Sequence, residues 1–172
     1  MIVLLTGVSG SGKSTIGSLL AERLHCPFED GDALHPPANI AKMRAGIPLT
    51  DTDRWPWLQA VAGWIDTSLG SGQPAVVACS ALKRSYRDLL REGRPQVRFV
   101  LLSASREVLA ARLAARHGHF FRASLLDSQL AALEPPAPGE GVLTVSATGA
   151  PAEVTAEIIR GLGLAAGPSA SP

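Results

Sequence analysis

The residues best suited to chemistry lie at 7–14, where the sequence reads Gly-Val-Ser-Gly-Ser-Gly-Lys-Ser. This stretch matches the pattern G-x-x-x-x-G-K-[ST], follows an apolar run at 2–6 and precedes a helical pattern at 15–24. A strand, a glycine-rich turn and a helix in this order form a loop whose backbone N–H groups converge on phosphate oxygens. We therefore predict a site for a nucleoside triphosphate.

Each residue type in this loop has a part in holding phosphate. Glycines permit the backbone angles and the close approach that a Cβ would block, and the start of the following helix adds its positive dipole end. Lys13 supplies a mobile positive charge for the β- and γ-phosphates and is a candidate catalytic residue, while the Ser14 hydroxyl is placed to ligate Mg²⁺. The predicted nucleotide-binding residues of the loop are Gly7, Val8, Ser9, Gly10, Ser11, Gly12, Lys13, Ser14 and Thr15.

A second chemical group, Asp30-Gly31-Asp32, follows the next predicted strand. One carboxylate near a phosphate loop can support Mg²⁺ while the other accepts a proton from a substrate hydroxyl. A simple Asp-Gly-Asp turn explains the same residues. The third strand ends in Cys79-Ser80-Ala81 without the carboxylate of motor ATPases, and the chain lacks the N-K-x-D segment of GTPases. Phosphoryl transfer to a small alcohol therefore fits best.

Composition bounds the class of protein. The 172 residues are 46% hydrophobic and 18% charged with a net charge of +1, which gives no support for a nucleic-acid or membrane partner. The length predicts one domain at 1–164 with a flexible tail at 165–172. No apolar stretch is long enough to span a bilayer, and the apolar run at the start is predicted to be a strand rather than a signal peptide. We expect a cytoplasmic protein.

Apolar runs and helical patterns alternate along the chain. The predicted strands lie at 2–6, 28–30, 75–79, 97–102 and 142–145. The predicted helices lie at 15–24, 36–45, 55–69, 83–91, 106–116, 124–133 and 152–162. This alternation predicts an α/β fold of the P-loop kinase type, a three-layer sandwich in which helices cover both faces of a five-stranded parallel sheet.

Longer motifs at fixed spacing make the sequence similar to the gluconokinase (gluconate kinase) family of small P-loop kinases over roughly residues 3 to 146. The motifs are Asp30-Gly31-Asp32, Leu34-His35-Pro36, Asn39-Ile40, Lys42-Met43, Gly46, Pro48-Leu49, Asp51, Asp53-Arg54, Pro56-Trp57-Leu58, Cys79-Ser80-Ala81-Leu82-Lys83, Tyr86-Arg87-Asp88-Leu89-Leu90-Arg91, Arg116, Gly118-His119-Phe120-Phe121, Leu125-Leu126, Ser128-Gln129, Leu133-Glu134 and Pro136. The resemblance implies ATP- and Mg²⁺-dependent phosphorylation of D-gluconate at its 6-hydroxyl and, in many members, a homodimer.

The resemblance also implies roles for individual residues. Asp32 is the candidate general base on the 6-hydroxyl, and Asp30 supports Mg²⁺. Arg54 and Lys83 are candidates for the gluconate carboxylate or the transferred phosphate, because a guanidinium matches a carboxylate and an ammonium acts as a point charge. His35 is a candidate for binding substrate, and packing or capping of its helix explains it equally well.

The basic segment around 112–122 is predicted to form a mobile lid, at about 117–123. Arg112 and Arg116 are four residues apart and share a helix face. We expect Arg116 to neutralise phosphate charge during catalysis, and Arg112 to stack on adenine or bind phosphate. A closed lid excludes water from the reaction. Two alternatives to a gluconate kinase stay open here: a shikimate-kinase-like enzyme acting on another hydroxy acid, and a nucleotide-binding regulator without turnover.

Overall fold

The protein folds around an open sheet of five parallel strands, in a computed structural model that describes residues 1–115 and 123–164. The strands are β1 (Ile2–Thr6), β2 (Phe28–Asp30), β3 (Ala75–Ala78), β4 (Val97–Ser103) and β5 (Val142–Ser146), in the spatial order β2-β3-β1-β4-β5. The helices are α1 (Lys13–Leu24), α2 (Pro37–Arg44), α3 (Asp51–Gly70), α4 (Arg84–Arg91), α5 (Arg106–Ala114), α6 (Ala123–Ala132) and α7 (Pro151–Gly161). The predicted α/β fold class is confirmed.

The central strand β1 is buried on both faces, because its alternating side chains enter two different clusters. Leu4 packs on one face with Trp57 of α3 and Leu90 of α4. Leu5 packs on the opposite face with Leu20 of α1 and with residues of α7. The unbroken apolar run at 2–6 is therefore the sequence signature of a strand covered from both sides.

A third apolar cluster lies beyond the carboxyl end of the sheet. Val8 of the phosphate loop is buried there with Leu109 and Leu113 of α5, Leu126 of α6, and Leu82 from the loop after β3. This cluster attaches α5 and α6 to the phosphate loop itself. The loop is therefore part of the packed interior rather than a surface turn.

A buried ion pair fixes the irregular segment between α6 and β5. The Arg87 guanidinium of α4 donates to Glu140 through Nε at 2.5 Å and Nη2 at 3.1 Å, and both side chains are buried. Its Nη1 donates to the backbone carbonyls of Leu82 and Glu134. The hydrogen bonds from Arg87 lower the pKa of Glu140. This bidentate pair holds a proline-containing segment that has no ladder of its own.

The largest difference from the predicted elements is the start of α3. The helix begins at Asp51 rather than at residue 55, because Thr50 and Asp53 form a capping box. Pro56 lies inside the helix, beyond its first turn. A 3₁₀ turn at Gly31–Leu34, which was not predicted, follows β2. Arg54 consequently lies in the first turn of α3, where it faces the site.

Two predicted features lie wholly or largely outside the described residues. Helix α5 ends at Ala114, so Arg116 and almost all of the predicted lid at 117–123 fall in the gap, as does Gly118-His119-Phe120-Phe121. The predicted tail at 165–172 is outside as well. Among the described helices, none has the length and apolar character needed to cross a bilayer.

Candidate active site

The phosphate loop joins β1 to α1 and closely approaches its surroundings at two glycines. Gly7 has a φ of 141°, and a Cβ there would lie 2.7 Å from the Leu102 carbonyl oxygen. Gly10 has a φ of 83° and is packed against the Leu109 carbonyl. Helix α1 then begins without a side-chain cap. A helix start of this kind leaves backbone donors for an anionic ligand.

Two further observations fit a polyphosphate in this loop. The Ser11 hydroxyl is buried and finds no hydrogen-bond partner among the described residues. A buried donor without a partner is costly, so a bound anion is a natural acceptor for it. The loop also borders a cavity of about 310 Å³ that is lined by Gly10, Ser11, Gly12, Thr15, Ile16, Arg112, Ala115, Ala147, Gly149 and Pro151.

Arg112 lines this cavity, which we call the nucleotide-side cavity. It extends from α5, and its Nη2 donates to the Ala147 carbonyl at 2.6 Å. The contact holds the planar guanidinium against the segment that follows β5. The predicted role of Arg112 toward adenine or phosphate stays a prediction, and this position is compatible with it.

Ser14, at the start of α1, and Asp30, at the end of β2, contact each other beside the loop. The Ser14 hydroxyl donates to Asp30 Oδ2 at 2.5 Å, and the Asp32 backbone N–H donates to Asp30 Oδ1 at 3.1 Å. No group of three or more His, Cys, Asp or Glu side chains able to hold a metal occurs in the described residues. One hydroxyl and one carboxylate fit Mg²⁺, which usually takes few protein ligands and completes its shell with water and substrate phosphate.

A larger cavity, of about 610 Å³, lies on the other side of the loop. Five of the predicted functional residues line it together: Ser9, Lys13, Asp32, His35 and Arg54. Lys13 Nζ also donates to the Val8 carbonyl at 3.1 Å, so the lysine extends along the loop toward this cavity. We call this the acceptor cavity, because it places a carboxylate and two cations next to the phosphate loop.

The two carboxylates after β2 have different surroundings. Both oxygens of Asp30 accept hydrogen bonds within the loop region. The side chain of Asp32 is 70% exposed and faces the acceptor cavity. Gly31 between them packs against the Ala78 carbonyl, and its own carbonyl accepts from Trp57 Nε1 at 2.7 Å. The 3₁₀ turn is therefore fixed from both sides, and it presents Asp32 to solvent or substrate.

His35 is buried beneath Asp32 and is held in one orientation. Its ring stacks on Trp57 with centroids 4.2 Å apart, and its Nδ1 lies 3.2 Å from the Asn39 amide nitrogen. An amide NH₂ can only donate, so Nδ1 must accept and the proton is on Nε2. Nε2 faces Asp32 at 3.9 Å. Burial lowers the pKa of His35, which favours this neutral form.

A polar network orders the first turn of α3 around Arg54. The Asn39 amide also donates to the Asp53 carbonyl at 2.8 Å, and Lys42 Nζ donates to Asp53 Oδ1 at 2.7 Å. The bond from Lys42, followed by bonds from Thr50, lowers the pKa of Asp53 to about 2. Asn39 and Lys42, which had no predicted role beyond their place in the family motifs, thus link α2 to α3. They fix the backbone from which Arg54 reaches the cavity.

Lys83 lies apart from these residues. Its Nζ donates to Asp51 Oδ1 at 2.7 Å, and Asp51 also accepts from the Tyr86 hydroxyl. These two hydrogen bonds lower the pKa of Asp51. Lys83 is not among the described residues that line the acceptor cavity. Its predicted contact with substrate stays a prediction, which would require Lys83 to leave Asp51.

Some residues of the acceptor cavity had no predicted role. Arg44, at the end of α2, lines the cavity and adds a cation. A basic residue in the last turn of a helix is expected on dipole grounds alone, so no functional role could be inferred for Arg44 from the sequence. Ser80, Ser128 and Gln129 also line the cavity. The last two were part of a family motif, but no chemistry had been assigned to them.

Similarity to known proteins agrees with this geometry. A family described as "AAA domain" matches residues 2–136. The chain is 50% identical over 158 residues to a gluconokinase of Gluconobacter oxydans (strain 621H), a match that covers 92% of this chain and 89% of that protein. The chain belongs to the gluconokinase family. It is also 48% identical over 139 residues to the thermoresistant gluconokinase of Escherichia coli (strain K12), covering 81% of this chain and 79% of that one.

The family is also recognisable in three dimensions. A crystal structure of a gluconokinase from Sinorhizobium meliloti 1021 superposes with a TM-score of 0.84 at 51% identity, covering 94% of this chain and 90% of that chain. The resemblance inferred from the sequence motifs is therefore confirmed.

Proposed function

We propose that the protein transfers the γ-phosphoryl group of ATP to the 6-hydroxyl of D-gluconate. The product, 6-phospho-D-gluconate, would feed the pentose phosphate or Entner–Doudoroff route. The observation that carries this proposal is the acceptor cavity, where Lys13 of the phosphate loop, Asp32 and Arg54 line one space. Membership of the gluconokinase family supports the choice of acceptor.

The different surroundings of the two aspartates support a division of labour. Asp30 is occupied by Ser14 and by the Asp32 backbone, which suits a role in holding Mg²⁺. Asp32 has an exposed carboxylate, and we assign it the proton of the attacking hydroxyl. The neutral His35 ring below it presents an N–H that helps to orient the same hydroxyl or the Asp32 carboxylate.

The charge of gluconate suggests the part played by the cations. A sugar acid carries a carboxylate, and a guanidinium can bind it through two parallel hydrogen bonds. Arg54 is in the cavity on an ordered helical turn, and Arg44 lines the same space. We assign the carboxylate to Arg54, assisted by Arg44. Lys83 is the remaining candidate from the sequence.

On the nucleotide side, the loop N–H groups, Lys13 and the Ser11 hydroxyl are placed to hold the phosphates. Ser14 and Asp30 would hold Mg²⁺, which supplies charge neutralisation between the phosphates when it is bound. Arg112 lines the nucleotide-side cavity. We keep Arg116 and the lid at 117–123 as proposals, in which a closing segment excludes water and brings a positive charge to the transferred group.

Two properties of the whole protein belong to the same proposal. We propose a homodimer, as the family resemblance implies, and a cytoplasmic location, as expected from the sequence. Sedimentation at several protein concentrations tests the first property. A monomeric protein that turned over gluconate at the full rate would contradict the dimer without affecting the reaction.

The reaction is tested by coupled detection of ADP with ATP, Mg²⁺ and a panel of acceptors: gluconate, shikimate, other sugar acids and no acceptor. We expect ADP to be released with gluconate and at a background rate without acceptor. Lys13→Met is the control for a site that has lost its phosphate contact. ADP release with shikimate rather than gluconate would replace the substrate assignment, and ATP binding without ADP release for any acceptor would overturn the kinase proposal.

A further inference from the structure

Gln129 of α6 bridges the phosphate loop and the acceptor cavity. The Ser9 backbone N–H donates to Gln129 Oε1 at 2.7 Å across 120 positions of sequence. The same glutamine lines the acceptor cavity with Asp32, His35 and Arg54. It does not line the nucleotide-side cavity next to Arg112. The oxygen of its amide therefore contacts the phosphate loop, and the side chain lines the cavity where the acceptor would bind.

The hydrogen bond to Ser9 determines which way the amide faces. A backbone N–H can only donate, so it selects the oxygen of the carboxamide and turns the NH₂ group away from the loop. No hydrogen bond engages Gln129 Nε2 within residues 1–115 and 123–164. The amide thus offers up to two donors at the wall of the acceptor cavity.

Helix α6 is attached firmly enough to keep this amide in place. Leu126 is buried in the cluster that contains Val8. Arg106 of α5 forms a bidentate pair with Asp127, with Nε–Oδ1 at 2.8 Å and Nη2–Oδ2 at 3.2 Å. Beyond the helix, the Glu134 backbone N–H donates to the Leu82 carbonyl at 3.0 Å. The glutamine is therefore held on a packed helix, with its orientation set in advance of binding.

We propose that Gln129 is a specificity-determining residue that donates a hydrogen bond to a hydroxyl oxygen on the carbon chain of the acceptor. The inference rests on the proposed function, since it takes a polyhydroxy acid as the occupant of the cavity. Asp32 and the arginines supply an acceptor and cations, and a polyol also needs neutral donors for its hydroxyl oxygens. A site built to hydrogen-bond a hydroxyl discriminates strongly against analogues that lack it.

Two variants of Gln129 distinguish the role of its amide oxygen from the role of its N–H donors. Gln129→Leu removes both the oxygen and the donors without adding charge, whereas Gln129→Glu keeps an acceptor for Ser9 N–H, removes the donors and adds a negative charge. We expect both variants to lower kcat/KM for gluconate by roughly tenfold or more, the usual effect of losing one hydrogen bond to a substrate. Binding of a non-hydrolysable ATP analogue in the absence of gluconate should change by less than about twofold in Gln129→Leu, which corresponds to less than about 0.5 kcal/mol. Any larger weakening in Gln129→Glu measures the repulsion between the added charge and the phosphates.

The matched controls are Gln59→Leu and Gln59→Glu at an exposed position of α3. These controls and the wild type should turn over gluconate alike, and if they do not turn it over, the proposed function fails rather than this inference. Melting temperatures within the range of the controls show that the Gln129 variants are folded. Because Gln129→Glu retains the loop contact, it can be compared with the wild type across the deoxy derivatives described next even if Gln129→Leu is unstable, since a uniform charge effect lowers activity with all of them alike.

The 2-, 3-, 4- and 5-deoxy derivatives of gluconate identify the hydroxyl. In the wild type one of them should lose most of the activity, and in Gln129→Leu that same derivative should lose little more, because the interaction is already absent. Unchanged kinetics in both variants would overturn the proposal and leave a purely structural contact. Tighter ATP binding in Gln129→Leu would also overturn it, since the amide would then be competing with a phosphate for Ser9 N–H.

Discussion

The nucleotide side and the acceptor side of this site are built in different ways. The nucleotide side consists mainly of one short segment after β1, with its backbone groups and the start of α1. On the acceptor side, Asp32, His35 and Arg54 come from a 3₁₀ turn, a loop and α3, and side-chain hydrogen bonds hold them in place. The first side is local in sequence, and the second is assembled by tertiary structure.

This difference has consequences for substitution. A backbone cradle fails when a side chain intrudes, whereas a side-chain network fails when one hydrogen-bonding partner is removed. The acceptor side should therefore respond to isosteric changes that leave the nucleotide side intact. The following predictions use that contrast.

The largest effect is expected for Asp32→Asn. The amide keeps the size of the side chain and removes the proton acceptor, so turnover should fall by roughly 10²- to 10⁴-fold. Binding of a fluorescent ATP analogue, measured in parallel, should stay near the wild-type value because Asp32 is on the acceptor side. Near-normal turnover would show that another group takes the proton.

The next largest effect distinguishes Arg54 from Lys83 as the contact for the gluconate carboxylate. Arg54→Met should raise KM for gluconate by roughly 10- to 100-fold, because charge-assisted hydrogen bonds contribute about 1.5–3 kcal/mol. Lys83→Met should have a much smaller effect, since its partner in the structure is Asp51. Steady-state kinetics with saturating ATP measures both variants. An equal rise in KM for the two variants would indicate that Lys83 leaves Asp51 to reach the substrate.

A steric change at Gly31 tests how tightly the turn before Asp32 is held. An added Cβ would lie 2.3 Å from the Ala78 carbonyl oxygen. We expect Gly31→Ala to lower the free energy of unfolding by about 1–3 kcal/mol, the usual effect of overpacking. Gly63→Ala in α3 is the matched control, because no heavy atom of the described residues lies within 4 Å of its Cβ position, apart from chain neighbours and the backbone of the same helix. This substitution should add about 0.5–1 kcal/mol. Urea unfolding compares them, and equal stability would contradict the close contact.

The smallest effect concerns pH and His35. Burial lowers the pKa of this histidine from 6.5, so between the lowered pKa and 6.5 the unfolded chain binds more protons than the folded one. The contribution to stability is therefore complete above pH 6.5 and is lost as the pH falls, by at most about 1.4 kcal/mol per pH unit.

The measurement is urea unfolding of the wild type and His35→Asn between about pH 7.5 and 5.5, a window that spans the ordinary histidine pKa. Asparagine keeps a hydrogen-bond acceptor for Asn39 but does not titrate. The difference in unfolding free energy between the two proteins should change with pH, with the wild type losing more on acidification. A constant difference would show that His35 titrates alike in both states.

The same contrast explains what could be predicted from sequence. The phosphate loop is a contiguous pattern, and the buried strands are unbroken apolar runs, so both could be located in the chain and the fold class followed. The stack of His35 on Trp57 and the bridge from Asn39 to Asp53 depend on side chains that meet only after folding. Resemblance to a family pointed to His35 and Arg54, but physical reasoning from the residues left their roles open.

The positions of Gln129 and Arg44 in the cavity could not be predicted from the sequence. Gln129 reaches the loop across 120 positions, and no local pattern reports such a pairing. Arg44 has the ordinary position of a basic residue at a helix end, so its place in the cavity carried no separate signal. The start of α3 at Asp51 was also missed, because the capping box formed by Thr50 and Asp53 was not recognised in the sequence.

The buried pair of Arg87 and Glu140 constrains how this chain can change over generations. Loss of either partner alone leaves an unpaired buried charge, which typically costs about 3–5 kcal/mol, whereas replacing both by apolar residues of similar volume is often neutral. Because Arg87 also holds the Leu82 and Glu134 carbonyls, an apolar pair would leave those groups to find new donors. A single substitution at either position is therefore destabilising, and we expect the two positions to change together or both to be retained.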